Sequence, residues 1–376
     1  MTTDVNHAVS TSVSSRDTFL DCLKGFAIGT VVLGHTFQGA TPDFDHSLPF
    51  RLIYSFHMPM FMFIAGMTAS LSFSKRLNTT PDLPSYLSEI KSKALRLVVP
   101  FMTWAIIKYF LVHPAGYDPA TWLLHMLQVP DEGLWFLWAL FQCSCVLALA
   151  SMAVQYFYYS LTATSSSGRN NPAELYLLLI LAWPIANASF RALPSDLGLG
   201  MAKAFFPYFF AGFIFHIIRP AGLPNTLRWI PYVIFVALAP FWYRTEVSPV
   251  AQLFPNPGSA NLEFQRIVAV AGTLALVDFA RLFTDNAPAV LTRAVAYCGK
   301  RSLDIYAIHF FFLPYFPPVI APIVASLGVS VILRTNPVTS WLCLGQKPMK
   351  IWPMNRYRLS QGPAGLTNNA VAMPKE

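Results

Sequence analysis

Three histidines, His35, His57 and His309, stand inside stretches of this sequence that are otherwise almost wholly apolar. An imidazole titrates near neutral pH, so it can take a proton from an alcohol and return it to a leaving group. Ionisable side chains facing hydrocarbon cost a few kcal/mol or more each, and a chain keeps them where they face a protein interior or a wet cavity. The first run, Phe19 to His35, also holds Asp21 and Lys24. The step from Asp21 to His35 is about four turns of helix and that from Lys24 about three, so the three side chains share one face. Plainer roles compete. Asp21 and Lys24 could be interfacial charges, His35 could cap a helix end, and His57 and His309 could serve helix–helix hydrogen bonds.

A second constellation is Lys91, Lys93 and Arg96. Lys93-x-x-Arg96 puts two cations on one helical face, a spacing suited to gripping phosphates. The same residues would also serve as positive anchors at a membrane surface. A third is Leu134-Trp135-Phe136-Leu137-Trp138. Its indoles fit either an aromatic belt or a platform on which a sugar stacks. The five cysteines show neither a disulfide framework nor metal-ligand spacing, so they read as buried thiols.

The elements that must position these residues are membrane helices. Of 376 residues, 55% are hydrophobic and only 12% charged, against about 25% charged in soluble domains. Runs near the ~20 residues a bilayer requires predict about ten spans, at 19–38, 50–73, 95–112, 133–155, 174–192, 200–218, 226–243, 264–283, 301–316 and 318–334. The fold class is all-α, a polytopic helical bundle. Residues 1–18 read as a polar tail without signal-peptide features, 19–345 as one membrane domain, and 346–376 as a second polar tail. Basic residues cluster after the second span (Lys75, Arg76, Lys91, Lys93), after the eighth (Arg293, Lys300, Arg301) and in the last tail. That places these segments and both termini in the cytoplasm. The net charge of +8 lies at span edges, which argues against nucleic acid as a partner. Along their helices, His35 lies ~21 Å from Asp21, His57 ~10 Å in from Phe50, and His309 ~12 Å from Arg301. The three could therefore line one cavity.

Five short motifs, in order, resemble the acyltransferase family 3 of integral membrane O-acyltransferases. They are Arg16-Asp-Thr-Phe-Leu-Asp21 through Gly34-His35, Ser55-Phe-His57-Met-Pro59, Lys93-Ala-Leu-Arg96 before Pro100, the Leu134–Trp138 run, and Gly299-Lys-Arg-Ser302-Leu-Asp304-Ile-Tyr306-Ala-Ile-His309. The resemblance implies transfer of an acetyl group from cytoplasmic acetyl-CoA to a hydroxyl of a cell-surface or exopolysaccharide glycan, or of a lipid-linked repeat unit. It implies no metal, and a bacterial-type inner membrane as the location. Membrane lipid, the glycan acceptor and polysaccharide-assembly proteins are the implied partners. His35 takes the family's essential-histidine role, with His57, His309 and Asp304 in support. Lys93 and Arg96 take the role of the paired arginines, and Lys24 and Arg16 join them in donor binding. Trp135 and Trp138 are candidates for the acceptor. Lysine at 93 departs from the usual arginine and binds phosphate as a point charge rather than a fork. Two rivals stand beside this reading: a transporter or flippase with a histidine relay, and a non-catalytic partner in polysaccharide assembly.

Overall fold

The computed structural model describes residues 17–40, 42–74, 81–112, 115–130, 133–162, 172–218, 227–313 and 320–346. Arg16, the Lys75–Arg76 pair and nearly all of the two tails lie outside them. Among the described residues the chain is helical and has no strand. The helices are α1 (Thr18–Ala40), α2 (Leu48–Tyr54), α3 (His57–Ser74), α4 (Leu83–Val112), α5 (Pro119–Gln128), α6 (Trp135–Thr162), α7 (Pro172–Ala192), α8 (Leu199–Ile218), α9 (Ile230–Leu238), α10 (Pro257–Asn286), α11 (Ala289–Lys300), α12 (Ser302–Ile308), α13 (Ile320–Thr335) and α14 (Pro337–Leu344).

Among the described residues six segments are long and apolar enough to cross a membrane: α2 with α3, α4, α6, α7 from Ala173, α8 and α10. Helix α1 has the length, at 23 residues, but Asp21, Lys24 and His35 dilute its apolar character. It is surrounded instead, packing against α2, α3, α10, α11, α12 and α13. A helix carrying three ionisable side chains is thus packed among other helices rather than left facing lipid.

Several predicted spans change shape. The second is broken at Ser55–Phe56 into α2 and α3. The third starts a dozen residues early, because α4 opens with three polar turns carrying Ser85, Glu89 and Lys91 that no hydropathy window would include. The seventh shrinks to the nine residues of α9 and a 3-10 turn over Ala239–Phe241, between Pro231 and the turn's own Pro240. The ninth is the seven-residue α12 and a 3-10 turn over His309–Phe311. Helices α5, α11 and α14 were not expected; α11 is amphipathic and too short to register as a span. The count of ten is therefore approximate.

Close helix approaches hold the bundle. Helices α3 and α8 meet at Gly66 and Gly212, where a Cβ would strike the carbonyl oxygens of Phe209 and Phe63. Helices α1 and α11 meet at Gly25 and Gly299, where a Cβ would strike Val295 O and Asp21 O. Such contacts let backbones pack without large side chains between them, the usual device where lipid supplies no hydrophobic drive.

Candidate active site

Helix α1, the start of α3 and the turn after α12 bring the three histidines together. The His35 ring centroid lies 5.4 Å from that of His309 and 6.4 Å from that of His57. The break between α2 and α3 is what aims His57 inward, as the first residue of the new helix. His57 and His309 are buried, at 2% and 0% exposure, whereas His35 is half-buried.

Hydrogen bonds assign the tautomers. His57 Nδ1 is 3.1 Å from Ile53 O, and His309 Nδ1 is 2.9 Å from Tyr306 O and 3.1 Å from Ile305 O. A carbonyl oxygen only accepts, so each Nδ1 carries the proton and each Nε2 keeps a lone pair. The His309 Nε2 atom is buried without a hydrogen-bond partner. His35 Nδ1 lies 3.0 Å from Gln38 Oε1 and 2.9 Å from Tyr54 Oη, and the Tyr54 hydroxyl donates to the same Gln38 oxygen. His35 therefore donates from Nδ1 as well, and its Nε2 presents a lone pair. Gln38 sits one turn beyond His35 on α1, so this orienting amide was within reach of sequence reasoning that did not look for it. Tyr54 was not, since its approach depends on the unpredicted break.

At the other end of α1 lies an open cleft. Its lining includes Lys24, Lys93, Arg96 and Lys300, with Thr68, Ser144 and Gln346 among them. Three of the cations come from far-apart sequence positions on different helices. The Gly25–Gly299 crossing sets Lys24 and Lys300 side by side, and Asp21 Oδ2 is 4.0 Å from Lys300 Nζ. Gly345, with φ of +61°, ends α14 directly against Arg96 O, where any Cβ would collide. That leaves Gln346 at the rim. Four cations and the apolar side chains of Phe61, Ile64, Phe136 and Leu140 in one lining suit a ligand with several phosphates and a less polar arm. Lys91 is exposed and is not part of this lining.

Packed rings lie between the two ends. Phe61 and Phe136 are 5.3 Å apart, Phe136 and Tyr306 5.5 Å, and Tyr306 and His309 6.1 Å, centroid to centroid. The Phe136 backbone N–H donates to Tyr306 Oη at 3.3 Å.

Asp304 lines the cleft rather than the histidine cluster. It accepts from Ser330 Oγ at 2.6 Å and from Arg334 Nε at 3.1 Å, with Arg301 at 3.9 Å. Its carboxylate ties α12 to α13. Trp135 stacks near Phe205 at 5.1 Å. Trp138 donates from Nε1 to Leu197 O at 2.7 Å and stacks with Phe101 and Phe141. The two indoles thus face α8 and the Leu197 turn, and it is Phe136, between them, that reaches the cleft. Among the described residues no group of three His, Cys, Asp or Glu side chains is arranged to hold a metal ion.

The sequence profile of the family described as an acyltransferase domain matches residues 17–345, nearly the whole chain. The chain belongs to this acyltransferase family. This acyltransferase is also similar to two proteins named Nodulation protein NolL. That of Mesorhizobium japonicum is 24% identical over 232 residues, covering 60% of this chain and 54% of the relative. That of Sinorhizobium fredii is 31% identical over 137 residues, covering 35% of each. The acyltransferase thus spans about half or less of the length of these relatives. No solved structure matches it. Membership, the six long apolar helices among the described residues and the polar α1 packed among other helices together make it a multi-pass membrane member of this family.

Proposed function

We propose that the protein is an O-acetyltransferase, moving acetyl from cytoplasmic acetyl-CoA to a hydroxyl of a cell-surface or exopolysaccharide glycan, free or lipid-linked. The observation that carries this reading is the placement of two chemistries at opposite ends of one helix. Lys24 belongs to the cationic cleft and His35 to the imidazole cluster, about 16 Å apart along α1.

In this mechanism Lys24, Lys93, Arg96 and Lys300 hold the donor's phosphates at the cytoplasmic mouth. The apolar side chains of the lining take the arm, which carries the thioester towards the rings of Phe136 and Tyr306. His35 Nε2 accepts the proton of the acceptor hydroxyl as its oxygen attacks the thioester carbonyl. The carbon–oxygen bond of the new ester forms and the carbon–sulfur bond breaks. The proton on His35 then goes to the leaving thiolate, giving free CoA and the acetylated glycan. Gln38 and Tyr54 hold Nδ1 so that Nε2 stays presented throughout. His57 and His309 keep neutral imidazoles close by, able to relay the proton. The protein lies in a bacterial inner membrane with both termini in the cytoplasm, as the basic segments favour.

The test is CoA release by the purified protein in nanodiscs, with acetyl-CoA and an acceptor glycan, and mass-spectrometric detection of the O-acetyl group. CoA release that depends on the acceptor supports the reading. Transport of the glycan across vesicles with no CoA released would replace it with the transporter reading.

A further inference from the structure

Beside the histidine cluster, a buried carboxylate holds a loop in place by its backbone. Asp45, in the 3-10 turn Phe44–His46, is 7% exposed. It accepts from Arg244 N at 2.8 Å, from Thr245 N at 2.9 Å, and from the Thr245 hydroxyl. Burial alone would push its carboxyl up, but the Thr245 hydroxyl and the two backbone amides outweigh that and hold it below the usual carboxylate range. Arg51 fastens the preceding residues, donating to Pro240 O and, at 2.9 Å, to Tyr243 Oη.

What this anchoring positions is the Arg244 guanidinium. It lies 5.7 Å from the centre of the Tyr54 ring, and Tyr54 Oη touches His35 Nδ1. Among the described residues no carboxylate lies within ion-pair distance of Arg244. The acidic groups nearby are engaged elsewhere: Asp45 by backbone amides, Asp43 by His46 at 2.7 Å, and Glu246 by His46 at 3.8 Å. Other arginines of the chain do have acidic partners, such as Arg228 with Asp278 and Arg334 with Asp304. An exposed, unpaired guanidinium, held by a buried carboxylate one ring away from the catalytic imidazole, is a fork for an anionic oxygen.

We infer that Arg244 binds a carboxylate or phosphate oxygen of the acceptor, making the protein selective for an acidic acceptor. The inference rests on the acetyl-transfer reading above and adds the substrate's charge to it. Because Arg244 stands only one ring from His35, the anion belongs to the acetylated sugar or to its immediate neighbour. Arg244 is a specificity-determining residue here; it takes no proton and forms no bond.

Three probes separate the sources of the anion. The first is a repeat-unit oligosaccharide containing a uronic acid, the second the same oligosaccharide with its carboxyl reduced to an alcohol, and the third the reduced form carried on a polyprenyl diphosphate. Full-length wild-type and Arg244→Ala proteins are compared in nanodiscs by CoA release, and by calorimetric binding without acetyl-CoA. Arg244→Ala should raise the acceptor KM roughly ten-fold on an anionic probe, and weaken its binding to match, since a hydrogen bond to a charged group is of that size. The KM for acetyl-CoA should not move, and Arg244→Lys should recover part of the loss. On the reduced, unlinked probe, wild-type and variant should be equal. An effect on the first probe assigns the contact to a sugar carboxylate; an effect on the third alone assigns it to the lipid phosphate. Equal loss on charged and neutral probes, or no loss on any, overturns the inference. Binding that follows this pattern without CoA release from any probe would uphold the contact and overturn the acetyl-transfer reading instead.

Discussion

The two ends of α1 solve different problems with different materials. The cleft end is open and charged, with four cations in its lining. The histidine end is more enclosed, with three imidazoles oriented by three backbone carbonyls, an amide and a phenol, and one cation, Arg244, a ring away. A point charge acts at a distance and through several geometries, so cations around a cleft share their task. A lone pair that must meet one proton works only if its ring is fixed, and no neighbour replaces it. Substitutions at the cleft should therefore weaken binding in steps, while substitutions at the histidines should remove rate.

The largest expected effect tests that directly. His35→Ala should lower kcat by about 10²–10⁴-fold, the usual contribution of a positioned proton carrier, while the protein still inserts and accumulates. CoA release by the purified variant measures it. Near-normal turnover would erase the distinction between the two ends.

Next comes the orienting amide. Gln38→Leu removes the acceptor for His35 Nδ1–H and should reduce kcat about ten-fold, with the acetyl-CoA KM unchanged, since one hydrogen bond to a developing charge is at stake. Tyr54→Phe should do less, because it leaves Gln38 in place. A Gln38 variant whose defect lies wholly in donor KM would contradict the partition.

Donor-side changes follow. Arg96→Ala should raise the acetyl-CoA KM several-fold and Lys93→Ala less, because a guanidinium can engage phosphate through two parallel hydrogen bonds. Lys93→Arg should be neutral or improve the KM. Initial-rate kinetics at saturating acceptor decide it; wild-type KM and kcat in both alanine variants would leave these residues as membrane anchors.

The smallest effect concerns acid. Asp45 has its pKa held low in the folded protein, so its contribution to the Arg244 loop is present above the ordinary carboxylate range and is lost as pH falls through the lowered value. On an acceptor that does not itself titrate in this range, wild-type acceptor KM should therefore rise only in acid, whereas Asp45→Asn should show a raised acceptor KM already at neutral pH. A flat wild-type profile with an unaffected variant would remove the loop from the histidine end.

What the sequence made legible was whatever one helix could carry. The shared face of Asp21, Lys24 and His35 needs only the 3.6-residue period, and the apolar runs need only composition. The meeting of Lys24 with Lys300 could not be read, because it depends on two glycines in separate helices finding each other. The break at Ser55–Phe56 was hidden because hydropathy is continuous across it. Asp304 lies five residues before His309, close enough in sequence to look like its helper. Its hydrogen bonds go instead to Ser330 and Arg334, a partner only the packing of α13 provides. In the Leu134–Trp138 run the indoles drew attention by type, yet the helix period turns Phe136 to the cleft and its neighbours away.

The column of rings between the two ends also bears on permeability. A wide cleft on one side and a half-exposed imidazole on the other would short-circuit a membrane if water joined them, because protons hop readily along a hydrogen-bonded file. Phe61 and Phe136, whose rings pack 5.3 Å apart, offer no hydroxyl for such a file. Packed rings of this kind leave water no continuous hydrogen-bonded path between the two ends. An energised membrane could carry many copies of this protein without losing its proton gradient through them.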